Sequence, residues 1–197
     1  MDPEALPDWV IPPPDGFTAD DFLRMRGLPR HTELIDGSLV FVSPQSLWHF
    51  LVIELLVDGL RRSAPEYLRV IREMTVKLGE RQVPEPDVTV LTDDAFQRDL
   101  LRSTFGAEDV LLAVEVVSPG SVEHDRDVKP RRYAAAGIKH FWRVEREGER
   151  AVVYVYELDP ASATYALTGI HHDQLKLTVP FDIDIEMDLA RVGWRHQ

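Results

Sequence analysis

The chain has 197 residues, 44% of them hydrophobic and 28% charged, which suits one globular domain of the larger kind and excludes a disordered polypeptide. It carries no cysteine, so disulfides and thiolate metal sites are excluded, and its net charge of −12 argues against broad, non-specific attraction to nucleic acid. The first residues, MDPEALPDWV, are acidic where a secretory leader is basic, and no apolar run approaches the ~20 residues that span a bilayer. The expectation is a soluble cytoplasmic protein with no membrane partner.

Residues 1–17 hold five prolines and read as an extended arm, with residues 18–197 as one domain. Thr18 followed by ADDFLRM predicts a short N-capped helix. TELIDGSLVF holds two alternating runs around Asp-Gly, the pattern of a hairpin. SLWHFLVIELLVDGLRRSA has apolar residues at helical spacing and predicts the long core helix. YLRVIREMTVKLG reads as a single strand, DVTVL as a short one, and TDDAFQRDLL as a capped helix or turn. VLLAVEVVS is apolar on both faces, as in a central strand covered on both sides. A helix is expected within SVEHDRDVKPRRYAAAG, starting at about Asp127 or later because Pro130 biases Lys129 away from helical geometry, and ending at Gly137. KHFWRVE, RAVVYVYEL and ATYALTGI read as strands, and residues 181–187 alternate apolar and acidic. One α/β domain accounts for these elements.

Two acids occupy strand positions, Asp87 after Pro86 and Glu115 within LLAVEVV. If their strands are neighbours, both carboxylates point into one cavity, and two such charges need a cation or a shared proton between them. A hard cation such as Mg²⁺ prefers oxygen ligands and suits the pair; zinc is disfavoured without thiolates or an HExxH histidine pair. Lys129 lies fourteen residues after Glu115, in a segment (124–143) with six Lys or Arg against two acids, a local +4. A lysine beside bound metal can orient or help deprotonate water and offset charge on a phosphoryl group. Asp125, Lys129 and Tyr133 are spaced to share one helical face. The bland alternative makes Lys129 a structural counter-ion of Glu115.

The motifs ELIDGSLVFVSPQSLWH, EPDVTVL, LAVEVVSPGS and DRDVKPRRYAAAGIKHFWRV, in this order, resemble the Uma2-type (DUF820) endonuclease family of the PD-(D/E)XK, restriction-endonuclease-like superfamily. The resemblance implies a mixed sheet flanked by helices, an N-terminal hairpin, a site using Mg²⁺ or Mn²⁺ to cleave nucleic acid (DNA ahead of RNA), and a homodimer. On this resemblance Asp87 and Glu115 are metal ligands, joined by a main-chain carbonyl near Val116. The lysine of the simplest motif would stand at Val117, and its role passes to Lys129. Glu33 matches an additional acid, with a surface role as its alternative. His49 matches a histidine of unclear role, with a core position as its alternative. Arg131 and Arg132 are candidate phosphate contacts, and Tyr133 is expected to pack against the sheet. Two competing readings are a catalytically silent binding or assembly module that keeps the fold, and a metal-free hydrolase using Asp87 and Glu115 as acid and base.

Overall fold

The computed structural model describes residues 11–42 and 44–194. Thr18 caps helix α1 (Ala19–Arg24), its hydroxyl accepting from the Asp21 amide while the Asp21 carboxylate accepts from the Thr18 amide at 3.0 Å. Strands β1 (Thr32–Ile35) and β2 (Ser38–Phe41) form the expected hairpin. Its turn residues Asp36 and Gly37 have φ of 51° and 78°, the two left-handed positions of a type I′ turn. The proline-rich arm falls partly outside the described residues, namely 1–10. Phe17, its last residue, is buried with Phe22, Leu34 and Val83 beneath the hairpin.

Helix α2 (Leu47–Ser63) starts at Ser46, whose hydroxyl accepts from the His49 amide at 3.2 Å. The expected long strand after it is two strands, β3 (Leu68–Arg72) and β4 (Thr75–Lys77). The chain breaks at Glu73, whose φ of 52° turns it out of extended geometry. Then follow β5 (Val88–Thr92), the short helix α3 (Asp93–Gln97), β6 (Thr104–Gly106) and β7 (Val110–Val116). The alternation in the sequence did not predict β6, which pairs parallel with β4 in a small separate sheet.

Past β7 the chain is helical from residue 122, earlier than expected. One π-helical turn, His124–Val128, runs directly into α4 (Lys129–Ala135). Lys129 is helical (φ −60°, ψ −47°) despite preceding Pro130. The wider π turn sits where the proline ring and its missing N–H interrupt a regular ladder, a cause of such bulges that also marks functional segments. Strands β8 (His140–Glu147), β9 (Arg150–Asp159) and β10 (Thr164–His171) complete the main sheet, and β11 (Gln174–Leu177) pairs with β12 (Ile183–Glu186).

The main sheet has six strands in the order β10-β9-β8-β7-β5-β3, antiparallel except for the parallel β7–β8 pair. Strand β7 is central, and its two faces meet different partners. Leu112, Val114 and Val116 join α2 and the β11–β12 hairpin in the main core. Ala113 faces Tyr133, Ile138 and Phe141 on the α4 side. Each such fully buried aliphatic or aromatic side chain stabilises the fold by about 1.5–3 kcal/mol. Gly59 of α2 fits because Ile185 leaves no room for a side chain: a Cβ there would lie 2.7 Å from it. In the tail the alternation is realised, with Ile183 and Ile185 buried and Asp184 and Glu186 exposed. No helix among the described residues is long and apolar enough to cross a membrane.

Candidate active site

The register Val88↔Val114 between β5 and β7 sets Asp87, just before β5, across from Glu115. Asp87 is locked to the neighbouring strand, its Oδ2 accepting from the Val116 amide at 2.6 Å. Glu115 alternates to the α4 face of β7, where α4 covers it and leaves it 2% exposed. There the Lys129 ammonium donates to Glu115 Oε2 at 3.0 Å and the Tyr133 hydroxyl donates to Oε1. Lys129 and Tyr133 are one helical turn apart, so both reach the same carboxylate.

Glu115 does not have Lys129 to itself. The ammonium also lies 3.0 Å from Glu33 Oε1 and 3.4 Å from Asp125 Oδ1. Glu33 enters from β1 and also accepts from the Glu85 amide at 2.7 Å. Asp125 enters from the π turn, four residues before Lys129, and its Oδ1 accepts no hydrogen bond. All four side chains are buried. The result is one cation among three carboxylates.

The titration behaviour follows from this excess. Burial raises the Glu115 carboxyl well above the ordinary range; Lys129 opposes the rise, while Asp125, Asp87 and Glu33 add to it. Burial likewise raises Asp125, with Lys129 again opposing. For Lys129 burial works against the charge, but Glu115, Glu33 and Asp125 outweigh it and hold its pKa well above normal. Lys129 is therefore an ammonium at neutral pH.

A cavity of about 410 Å³ opens beside the cluster, lined by Glu33, His49, Asp87, Val116, Asp125 and Lys129 among others. Glu115 lies behind Lys129 and does not line it. His49, on the first turn of α2, is buried and its Nε2 is 3.4 Å from Asp87 Oδ2. Burial lowers its pKa, yet the hydrogen bond and charge of Asp87, with the Val116 carbonyl, leave it raised overall. It is buried on α2, as its core alternative expected, and it also lines the cavity.

Other expected residues stand elsewhere. Arg131 is ion-paired with Asp127, and Arg132 lies 2.6 Å from Asp36 of the hairpin turn; neither lines the cavity. Tyr133 packs against Phe141 (centroids 5.9 Å apart) as expected, and in addition binds Glu115. Among the wall residues that went unrecognised from sequence are Glu85, His31, which meets Glu85 Oε1 at 2.6 Å, and Glu73. Burial raises the Glu85 carboxyl, and His31 opposes this. None has a local signal. Asp125 did have one, its spacing from Lys129.

The potential metal donors around the cluster are mostly oxygen, from Asp87, Glu115, Glu33, Asp125 and the Val116 carbonyl, with the imidazoles of His49 and His124 on the cavity wall as nitrogen donors. That donor set suits a hard divalent cation, and the surplus of carboxylates over Lys129 would be offset by one. Among the described residues, however, no three His, Asp or Glu side chains are gathered closely enough to hold a metal as they stand.

The sequence profile of the Uma2 family, described as a putative restriction endonuclease, matches residues 19–190, nearly the whole described chain. The chain belongs to the Uma2 family. A crystal structure of a putative nuclease of DUF820 from Anabaena variabilis superposes with a TM-score of 0.64 at 15% identity, covering 83% of this chain and 89% of that one. Such a likeness, at low identity, shows that the Uma2 chain has the same fold: a mixed sheet with flanking helices. P. aeruginosa NucC in its cAAA-bound form matches at a TM-score of 0.33 and 12% identity, over 64% of this chain and 85% of that one. The chain matches no curated protein sequence.

Proposed function

We propose that this Uma2 chain is a metal-dependent nuclease that hydrolyses phosphodiester bonds in the cavity beside Asp87, Glu115 and Lys129. The observation that carries the reading is the pairing of two carboxylates across neighbouring strands, with one lysine on the adjoining helix reaching both their surroundings and the cavity. Family membership supports nucleic acid as the substrate.

Asp87 and Glu115 would hold Mg²⁺ or Mn²⁺, together with the Val116 carbonyl, and Glu33 is the adjoining acid. When bound, such a cation supplies Lewis acidity and a low-pKa water. The chain's own groups do the rest. Lys129, kept charged by three carboxylates, sets a positive charge beside the non-bridging oxygens of a phosphodiester and orients an attacking water. Tyr133 fixes the Glu115 carboxylate from behind, and the Val116 amide and His49 fix Asp87. DNA ahead of RNA as substrate and a homodimer as the working unit belong to the same proposal, by extension from the family, and a cytoplasmic location joins it from the composition of the sequence.

A catalytically silent module is the second reading. It is favoured by the threefold engagement of Lys129 and the lack of a ready-made metal cluster among the described residues. Incubation with DNA and RNA in Mg²⁺, in Mn²⁺ and in EDTA decides between them. The nuclease proposal expects cleavage that stops in EDTA and in Glu115→Ala. Cleavage that persists in either condition sinks the site assignment, and no cleavage together with no calorimetric Mn²⁺ binding favours the silent module.

A further inference from the structure

We propose that Lys129 is an internal competitor for the divalent cation: its ammonium occupies the Glu115 carboxylate, and an ion held by Asp87 gains Glu115 only as the lysine turns out into the cavity. The inference rests on the nuclease reading of the same site and names what controls access to its metal ligands.

Position comes first. Lys129 Nζ is 3.0 Å from Glu33 Oε1, 3.0 Å from Glu115 Oε2 and 3.4 Å from Asp125 Oδ1. These carboxylates come from β1, from β7 and from the π turn, and they converge on one ammonium. Asp87, Glu33, Asp125 and Lys129 line the cavity wall, whereas Glu115 does not. An ion arriving through the cavity therefore meets the ammonium before it meets Glu115.

The carboxylates keep their places without the lysine. Glu33 Oε1 also accepts from the Glu85 amide at 2.7 Å. Tyr133 donates to Glu115 Oε1, so Oε2 is the oxygen that a departing ammonium frees. Asp125 is carried by a helical backbone, its amide donating to the Ser121 carbonyl at 2.8 Å. What the lysine leaves is a set of oxygens already aimed at a cation.

Charge and spacing then separate the two cations. One ammonium faces three buried acids, and a divalent ion offsets more of that surplus. Contacts near 3 Å suit an ammonium, while Mg²⁺ draws its oxygen ligands to about 2.0–2.1 Å. Both cannot hold Glu115 Oε2 at once. The spread of the acids around Lys129 also accounts for the want of a three-residue metal cluster among the described residues as they stand. The lysine has somewhere to go: its stem is flexible, the cavity measures about 410 Å³, and its wall includes the small residues Ser118, Gly120 and Ser121. Turned that way, the ammonium faces the space assigned to the phosphodiester.

Calorimetric titration of the full chain with Mg²⁺ at pH 8 tests the competition. A binding-competent form populated at about 1–10% weakens apparent affinity about ten- to a hundredfold. Lys129→Met has no ammonium to displace and is expected to bind Mg²⁺ more tightly than wild type by that factor. Arg30→Met removes an exposed cation from the same wall and should change the affinity less than about fivefold. NMR of ¹⁵N-labelled lysine Nζ groups in the wild-type chain reads the same event without a variant, and decides alone if Lys129→Met does not fold. Lys77, Lys139 and Lys176 are exposed, so a slowly exchanging Nζ signal belongs to Lys129. Saturating Mg²⁺ should remove that signal. The inference is overturned, with the nuclease reading left standing, by Lys129→Met binding no tighter than wild type, by an equal gain in Arg30→Met, or by an Nζ signal that is absent before Mg²⁺ or persists after it. Mg²⁺ that binds neither wild type nor Lys129→Met overturns both.

Discussion

Replacing Lys129 by Met keeps the volume of the side chain and removes the only cation in contact with Glu33, Glu115 and Asp125 among the described residues. All three acids are at most 3% exposed, so the lost ammonium leaves them poorly solvated. Breaking a buried pair by removing one partner costs about 3–5 kcal/mol, a large part of the ~5–15 kcal/mol that holds a typical domain together. The pH dependence has a definite sign. The folded pKa of Lys129 is raised, so its contribution is complete below the unfolded value of 10.5 and is lost only as pH rises through the higher folded value. At neutral pH the wild-type chain therefore has the full benefit and Lys129→Met has none. Burial raises the folded pKa of Glu115 and Asp125, so in the variant these acids take up protons as pH falls and the deficit shrinks toward pH 5. Urea unfolding of both proteins at pH 8 and pH 5 measures this. A deficit under about 1 kcal/mol at pH 8, or one that does not shrink at pH 5, would show that Lys129 is not the counter-charge of this cluster.

Tyr133→Phe removes the hydroxyl that donates to Glu115 and should cost about 1.5–3 kcal/mol in urea unfolding, the range for hydrogen bonds to charged groups. Gly59→Ala should cost about 1–3 kcal/mol through its clash with Ile185, and Ile185→Val should recover part of the loss in the double variant. If the clusters of carboxylates bind Mg²⁺, the ion at 100 times its dissociation constant should raise wild-type stability by about 2.7 kcal/mol, EDTA should abolish the gain, and Asp87→Asn should show little of it.

Glu115 drew notice in the sequence because an acid within an apolar strand needs a reason, and the structure supplies Lys129 and Tyr133 as its partners. The hairpin at Asp36-Gly37, the helix α2 and the alternating tail were legible for a similar cause: turn chemistry and apolar period are local properties. The break between β3 and β4 was not, because Glu73 adopts a left-handed conformation that its residue type does not announce. Strand β6 was hidden since its partner β4 lies almost thirty residues away and both are short. The helix before α4 begins early because a π turn absorbs Pro130, a solution no residue-by-residue bias predicts. Within the site, Asp87 and Glu115 could be named but not placed opposite each other, which depends on the β5–β7 register. Glu85, His31 and Arg30 reach the cavity through tertiary folding alone.

Diffraction from crystals soaked in Mn²⁺, collected near the manganese absorption edge, addresses the central claim most directly. The account predicts an anomalous peak beside Asp87 and Glu115 in the wild-type chain and its loss in Glu115→Ala. A wild-type crystal with no peak at these carboxylates, at a Mn²⁺ concentration that supports cleavage in solution, would contradict it.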